Sequence, residues 1–178
     1  MDHRPDMFQD SHGRRITYMR LSVTDRCNLR CVYCMPGLGI EKVQHAQVLS
    51  YEELLRICRI AAELGIEKIR ITGGEPLVRA DLDQFLPRLA AVPGLSEVTL
   101  TTNGVSLGSF LDVLKASNIR RINVSLDSLD RDRYRSITGH DFMPQVIRAL
   151  EDAANAGFNP VKINVVVMRG VNHDEVAD

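Results

Sequence analysis

Three of the chain's four cysteines, Cys27, Cys31 and Cys34, fall in one short segment with the spacing Cys-x3-Cys-x2-Cys. Thiolates are strong ligands for iron–sulfur clusters, which usually take four of them. Three thiolates on a four-iron cluster leave one iron open to a substrate or cofactor, so the spacing points to chemistry rather than electron storage alone. Zinc is the main alternative, and a closed zinc site needs a fourth ligand. No second Cys-x2-Cys-like pair exists, but His12 or His45 could complete such a site. A disulfide would leave one of the three thiols unpaired. Cys58 is different: it falls on the apolar face of an expected helix and reads as a buried core residue.

Two other groups of residues carry chemical potential. Thr72-Gly-Gly-Glu-Pro76 places two adjacent glycines where main chain can adopt unusual dihedrals and approach a ligand closely. By itself such a segment is only a turn. The second group is Arg20, Lys68, Arg70 and Lys162, which recur on the polar faces of expected strands. An unpaired cation on an interior face is unfavourable. An anion such as phosphate would compensate it, and guanidinium and ammonium groups suit phosphate oxygens. The competing reading pairs these cations with Asp127 or Glu75, or turns them to solvent. For Lys68 both readings stay open, whereas Arg20, Arg70 and Lys162 are read as facing a ligand.

The elements that must position these groups alternate along the chain. Strands are expected over Ile16–Val23, Ile66–Thr72, Glu97–Thr102, Arg121–Leu126 and Val161–Met168. Helices are expected over Tyr51–Leu64, Leu82–Ala91, Ser106–Ser117 and Pro144–Ala156. Ser50 and Glu53 have capping-box spacing, with Leu54, Ile57, Cys58 and Ala61 as the apolar face and Gly65 just past the end. Asp81 is a candidate cap for the second helix, and Gly157 a stop for the fourth. Strand–helix repeats with short joins imply parallel strands and right-handed crossovers.

Each strand alternates polar and apolar residues, whereas strands covered on both faces read as unbroken apolar runs. The expectation is therefore an α/β fold, a partial (βα) barrel whose apolar set packs on outer helices and whose polar set lines an open interior. An open sheet with one wet face is the alternative. The cysteine segment follows the first strand, at the end where strand–helix barrels carry their active sites. Residues 1–15 read as an arm and residues 16–178 as the barrel. Five strands are followed by what looks like a helix starting at Val171–Asp178, so the expectation is a barrel truncated after about five strands.

Composition narrows the partners. With 22 Lys and Arg against 23 Asp and Glu, the net charge of −1 offers no general field for nucleic acid or anionic membrane. No apolar run approaches the roughly 20 residues of a membrane span. The first fifteen residues lack the apolar stretch of a signal peptide. The default location is the cytoplasm, where thiols stay reduced.

The cysteine loop, with Tyr33 before its last cysteine, followed one unit later by Thr72-Gly-Gly-Glu-Pro76, resembles the radical S-adenosylmethionine (SAM) superfamily. The segments Leu21-Ser-Val-Thr-Asp-Arg-Cys27, Arg70-Ile-Thr-Gly-Gly-Glu-Pro-Leu77, Leu100-Thr-Thr-Asn-Gly104, Arg121-Ile-Asn-Val-Ser-Leu-Asp127 and Val161-Lys-Ile-Asn-Val165 narrow the resemblance. They are similar to the GTP 3′,8-cyclase family of molybdenum-cofactor biosynthesis, from about Arg14 onward. The resemblance implies a [4Fe–4S] cluster on Cys27, Cys31 and Cys34, and SAM bound at Tyr33, Gly74 and Ser125. It implies GTP at Arg20, Arg70, Thr101 and Lys162, an external electron donor and a homodimer. Cleavage of SAM would give a 5′-deoxyadenosyl radical that takes a hydrogen from ribose C3′, after which C3′ joins guanine C8. The family's second [4Fe–4S] cluster, held by three further cysteines, finds no ligands in this sequence.

Overall fold

Alternation of apolar and polar residues builds the sheet. The structure, a computed structural model, describes residues 8–34, 44 and 47–176. Five strands, β1 (Tyr18–Ser22), β2 (Lys68–Thr72), β3 (Glu97–Thr102), β4 (Ile122–Ser125) and β5 (Val161–Asn164), form one parallel sheet in sequential order. Crossovers of one hand between strands laid side by side in order place every connecting helix on the same face. The sheet therefore has a helical side and an open side. It is not closed, as expected of a partial barrel.

On the helical side Ile69, Ile71, Leu100, Ile122 and Val124 are fully buried. They pack with side chains of α1 (Tyr51–Glu63), α2 (Leu82–Ala90), α3 (Leu111–Ala116) and α5 (Met143–Asn155). Burying one such aliphatic side chain is worth about 1.5–3 kcal/mol, so this face carries most of the cohesion. The open side carries the polar set in cross-strand rows. Arg20, Arg70 and Thr99 lie side by side in one, and Thr101, Asn123 and Lys162 in another.

The first helix is built as its sequence implies. Ser50 Oγ accepts from the Glu53 N–H (3.2 Å), and a Glu53 carboxylate oxygen accepts from the Ser50 N–H (2.7 Å). Gly65 closes the end at φ +106°, and Gly157 closes α5 at φ +81°. The buried stripe differs from the expected one: Leu54, Leu55, Cys58, Ala61 and Ala62 are buried, while Ile57 lies exposed one position outside it. Asp81 is not a side-chain cap. It sits at φ +57°, and its carboxylate takes the Gln84 side-chain amide instead (3.1 Å).

Three further features depart from the sequence reading. A helix, α4 (Arg131–Thr138), fills a stretch assigned to no element. Only Tyr134, Ile137 and Thr138 of it are buried, so its apolar periodicity is too sparse to register. Its caps are nevertheless written in the sequence: Asp130 accepts from the Arg133 N–H (2.9 Å), and Gly139 ends it at φ +77°. β5 stops at Asn164 instead of Met168, because the following chain bends so that the Val166 N–H meets Asp127 (2.8 Å). The helix expected from Val171 is, within the described residues, one 3-10 turn at His173–Glu175.

Residues 8–16 form a small turn in which the Ile16 N–H donates to the Phe8 carbonyl (2.8 Å). Arg15 ties it to Glu67 ahead of β2 (3.3 Å), which puts His12 at the opposite end of β1 from the cysteines. No helix among the described residues is long and apolar enough to cross a membrane. Ser50→Ala removes one member of the reciprocal cap and should lower stability by about 1 kcal/mol. A urea unfolding curve with an unshifted midpoint would contradict that.

Candidate active site at the cysteine loop

The cysteine loop is fixed at both ends by backbone contacts. At its start the β1–β2 pairing continues past the strands. The Val23 N–H donates to Thr72 O (3.0 Å), the Gly74 N–H to Thr24 O (2.7 Å) and the Glu75 N–H to Arg26 O (2.7 Å). The two chains come so close that a Cβ on Gly74 would collide with the Arg26 carbonyl. One on Gly73, at φ +154°, would lie 2.5 Å from Thr24 O. Glycine is thus required here by the loop's own backbone, before any ligand is considered. At its far end the Arg30 N–H donates to Thr138 O (2.8 Å) and the Val32 N–H to Ile137 O (2.9 Å). These are carbonyls of the last turn of α4, which has no further helix to satisfy them. The Arg30 guanidinium closes back on Cys27 O (2.9 Å) and Leu29 O (2.8 Å).

Cys27 and Cys31 are half-buried and Cys34 exposed, all as free thiols. Burial pushes the Cys31 thiol up to about 11 and raises Cys27 as well, with the neighbouring thiols adding to both shifts. Without a metal's charge these are neutral thiols, and a bound metal reverses that balance. Among the described residues no three His, Cys, Asp or Glu side chains are arranged to hold a single metal ion. His45, the other histidine considered for zinc, lies outside the described residues. Three thiols on one loop can give one thiolate to each of three corners of a multi-iron cluster, whereas a closed zinc site takes four ligands. The donor set therefore fits a [4Fe–4S] group. Cys58 is fully buried in the core and takes no part in the loop.

Two buried carboxylates frame the loop, and neither role was apparent from sequence. Asp127, just past β4, accepts from the Tyr33 hydroxyl (2.7 Å) with one oxygen and the Val166 N–H with the other. That bond draws Tyr33 toward the end of β4, where Ser125 lies on the open face opposite Asn164. Glu75 is only 1% exposed, and among the described residues no cation forms an ion pair with it. It accepts from Thr102 Oγ1 (2.7 Å), the Leu77 N–H (3.0 Å) and the Asn103 N–H (2.6 Å). Burial raises its pKa, and the three donors oppose the rise.

With both carboxylates engaged in this way, neither neutralises the cations of the open face. Among the described residues no carboxylate pairs with Arg20, Arg70 or Lys162. Arg70 carries a buried Nε with no hydrogen-bond partner, and its guanidinium lies 5.8 Å from the Tyr18 ring centroid. Lys68 goes the other way: it pairs with Glu97 (3.6 Å), which also holds Arg121 (2.7 Å). Thr101 is half-buried in the row that contains Lys162. Lys162 stands three strands from Arg70, roughly 14 Å along the sheet at the usual strand spacing, so one extended anion could span both.

This sheet, with a three-thiol loop at the carboxyl end of its first strand, defines a radical SAM domain, and the chain belongs to the radical SAM superfamily, whose family model matches residues 21–178. The family uses [4Fe–4S] clusters and SAM. The chain is 57% identical over 169 residues to a GTP 3′,8-cyclase of Geobacter sulfurreducens, covering 95% of this chain and 52% of that protein. It is 50% identical to a GTP 3′,8-cyclase of Thermodesulfovibrio yellowstonii, covering 94% and 52%. The chain thus spans about half the length of these curated relatives. Among solved structures it resembles Streptococcus suis SuiB bound to S-adenosylmethionine, with a TM-score of 0.72 at 22% identity over 91% of this chain and 37% of that one. That likeness is one of fold.

Two substitutions test how the loop is held. Gly74→Ala forces a methyl group into the Arg26 carbonyl and should destabilise the protein by about 1–3 kcal/mol, as overpacking does. Glu75→Gln faces an amide N–H against the Asn103 N–H, and a buried unsatisfied donor should cost about 1–3 kcal/mol. Chemical denaturation measures both, and parental midpoints would refute the close approach and the acceptor role respectively.

Proposed function

We propose that this chain carries the SAM site and the triphosphate-facing cations of a GTP 3′,8-cyclase. The observation that carries the reading is a three-thiol loop at one end of an open sheet face where Arg20, Arg70 and Lys162 lack carboxylate partners among the described residues. The identity to cyclases along nearly the whole chain supports it.

Cys27, Cys31 and Cys34 would hold the [4Fe–4S] cluster. When bound, the cluster would supply the electron for reductive cleavage of SAM, the start of the radical chemistry that would join C3′ of GTP to guanine C8. The protein's contribution is positioning. Tyr33, steered by Asp127, faces the adenine. Main chain at Gly74 receives the methionyl ammonium, and Ser125 reaches the ribose or carboxylate. Arg20, Arg70, Thr101 and Lys162 hold GTP on the polar rows, with the guanidinium and ammonium groups on phosphate oxygens. An external electron donor and a second copy of the chain complete the proposed assembly, and a cytoplasmic setting keeps the exposed thiols reduced. A second cluster would need thiols besides Cys58, which faces the core.

Anaerobic reconstitution should yield about four irons with labile sulfide per chain, lost on replacing Cys27, Cys31 or Cys34 by Ala and kept in Cys58→Ala. Stoichiometric zinc without sulfide would overturn the assignment. Arg70→Ala or Lys162→Ala should weaken GTP by about tenfold to a hundredfold, since a hydrogen bond to a charged group is worth roughly 1.5–3 kcal/mol. SAM affinity should hold in the same titrations. Unchanged GTP binding would return the chain to a radical SAM enzyme of another substrate.

A further inference from the structure

The end of β3 delivers one more group to the cysteine loop. Asn103 follows β3 and is 8% exposed. Its side-chain amide makes three contacts. Oδ1 accepts from the Val105 N–H (3.1 Å), while Nδ2 donates to Asn28 Oδ1 (2.7 Å) and lies 3.8 Å from Cys27 Sγ. The Val105 contact settles which way the amide faces, because only an oxygen can accept from a backbone N–H. Nδ2 is thereby aimed at the cysteine loop. The backbone of Asn103 is held just as firmly, its N–H bound by the buried Glu75 carboxylate (2.6 Å). Cys27 Sγ takes a second donor from within its own loop, the Leu29 N–H (3.3 Å).

We propose that Asn103 is a positioning residue that sets the reduction potential of the group held by Cys27, through an N–H···S hydrogen bond from Nδ2 to Sγ. This rests on the reading of Cys27 as a cluster ligand. A donor aimed at a cluster thiolate stabilises the extra negative charge of the reduced state and raises the potential. The bond also strengthens as sulfur gains charge, so a contact that is long toward a neutral thiol becomes effective toward a thiolate. Glu75 gives the arrangement a second consequence. It follows directly on Gly73 and Gly74, so the turn proposed to receive SAM and the donor to Cys27 are joined through one carboxylate.

Two variants separate tuning from simple structural support. Asn103→Ser keeps a short side-chain oxygen for the Val105 N–H, as serine turns do, yet cannot reach Cys27. Asn103→Asp keeps the shape and lacks the Nδ2 donor but adds a negative charge that lowers the potential further, so Asn103→Ser is the variant that isolates the hydrogen bond. In an EPR-monitored redox titration of the reconstituted chain, each should retain its iron. At a fixed ambient potential the ratio of reduced to oxidised cluster should fall about tenfold, which is 59 mV for a one-electron couple. A purely structural role would lower iron content or stability and leave the potential of the remaining clusters where it was. Either variant with full iron and the parental potential overturns the proposal.

Pulsed EPR on the unsubstituted chain carrying isotope-labelled asparagine decides the matter even if the variants fail to fold. A nitrogen coupling to the reduced cluster that survives Asn28→Asp, which removes the labelled side-chain amide beside Cys27 and keeps the oxygen that Asn103 Nδ2 meets, is expected, and its absence overturns the proposal. Parent protein that takes up no iron and sulfide would instead overturn the cluster reading itself.

Discussion

Everything at the upper end of the sheet depends on how closely the chain after β1 approaches the turn after β2. Gly73 and Gly74 let the backbones of Thr24–Arg26 and of the turn meet with nothing between them, and three consecutive hydrogen bonds seal the contact. The loop carrying the thiols therefore leaves the sheet in one fixed direction. It is then caught again by the unsatisfied carbonyls of α4 at Ile137 and Thr138. A loop held at two points by backbone, with the Arg30 guanidinium folded onto Cys27 O and Leu29 O, presents three free thiols. Side chains enter afterwards, as Asp127 draws in Tyr33 and Glu75 fixes the end of β3.

The distribution of charge follows the same division. Pairs such as Arg88–Glu52 and Arg131–Asp141 sit at the solvent-facing surface, and each is worth at most about 1 kcal/mol. On the sheet the pattern is the reverse. Glu75 is buried against three neutral donors, while on the open face Arg70 and the exposed Arg20 and Lys162 meet no carboxylate among the described residues. A buried carboxylate so well supplied with donors serves geometry, whereas the cations of the open sheet face are those that the proposed function assigns to an anion from outside. Lys68 marks the boundary, since at the start of β2 it finds Glu97 and is neutralised within the protein.

Much of this was legible in the sequence because it obeys short periods. Strict alternation identified the strands and sorted Arg20, Arg70 and Lys162 onto the polar face, and the Ser50–Glu53 spacing announced α1. Legibility fails where the cause lies in distant contacts. α4 has too few apolar residues to show a helical period, and its caps at Asp130 and Gly139 were the only local trace. The early end of β5 depends on Asp127 and Asn172, which brace the bend from other parts of the chain. The need for glycine at position 74 was apparent, but not its structural reason, since the Arg26 carbonyl is 48 positions away in sequence. Asn103 and Glu75 stood inside quoted motifs, and their links to Cys27 and to each other exist only in three dimensions.

Under the proposed function this chain offers three thiolates to a four-iron group and leaves the fourth corner for SAM. Mössbauer spectroscopy of the anaerobically reconstituted, iron-57-enriched protein addresses it directly. Adding SAM should change the signal of one iron in about every four, while the other three keep their parameters. A spectrum in which SAM alters none of the irons would mean that every corner is already ligated, and would contradict it.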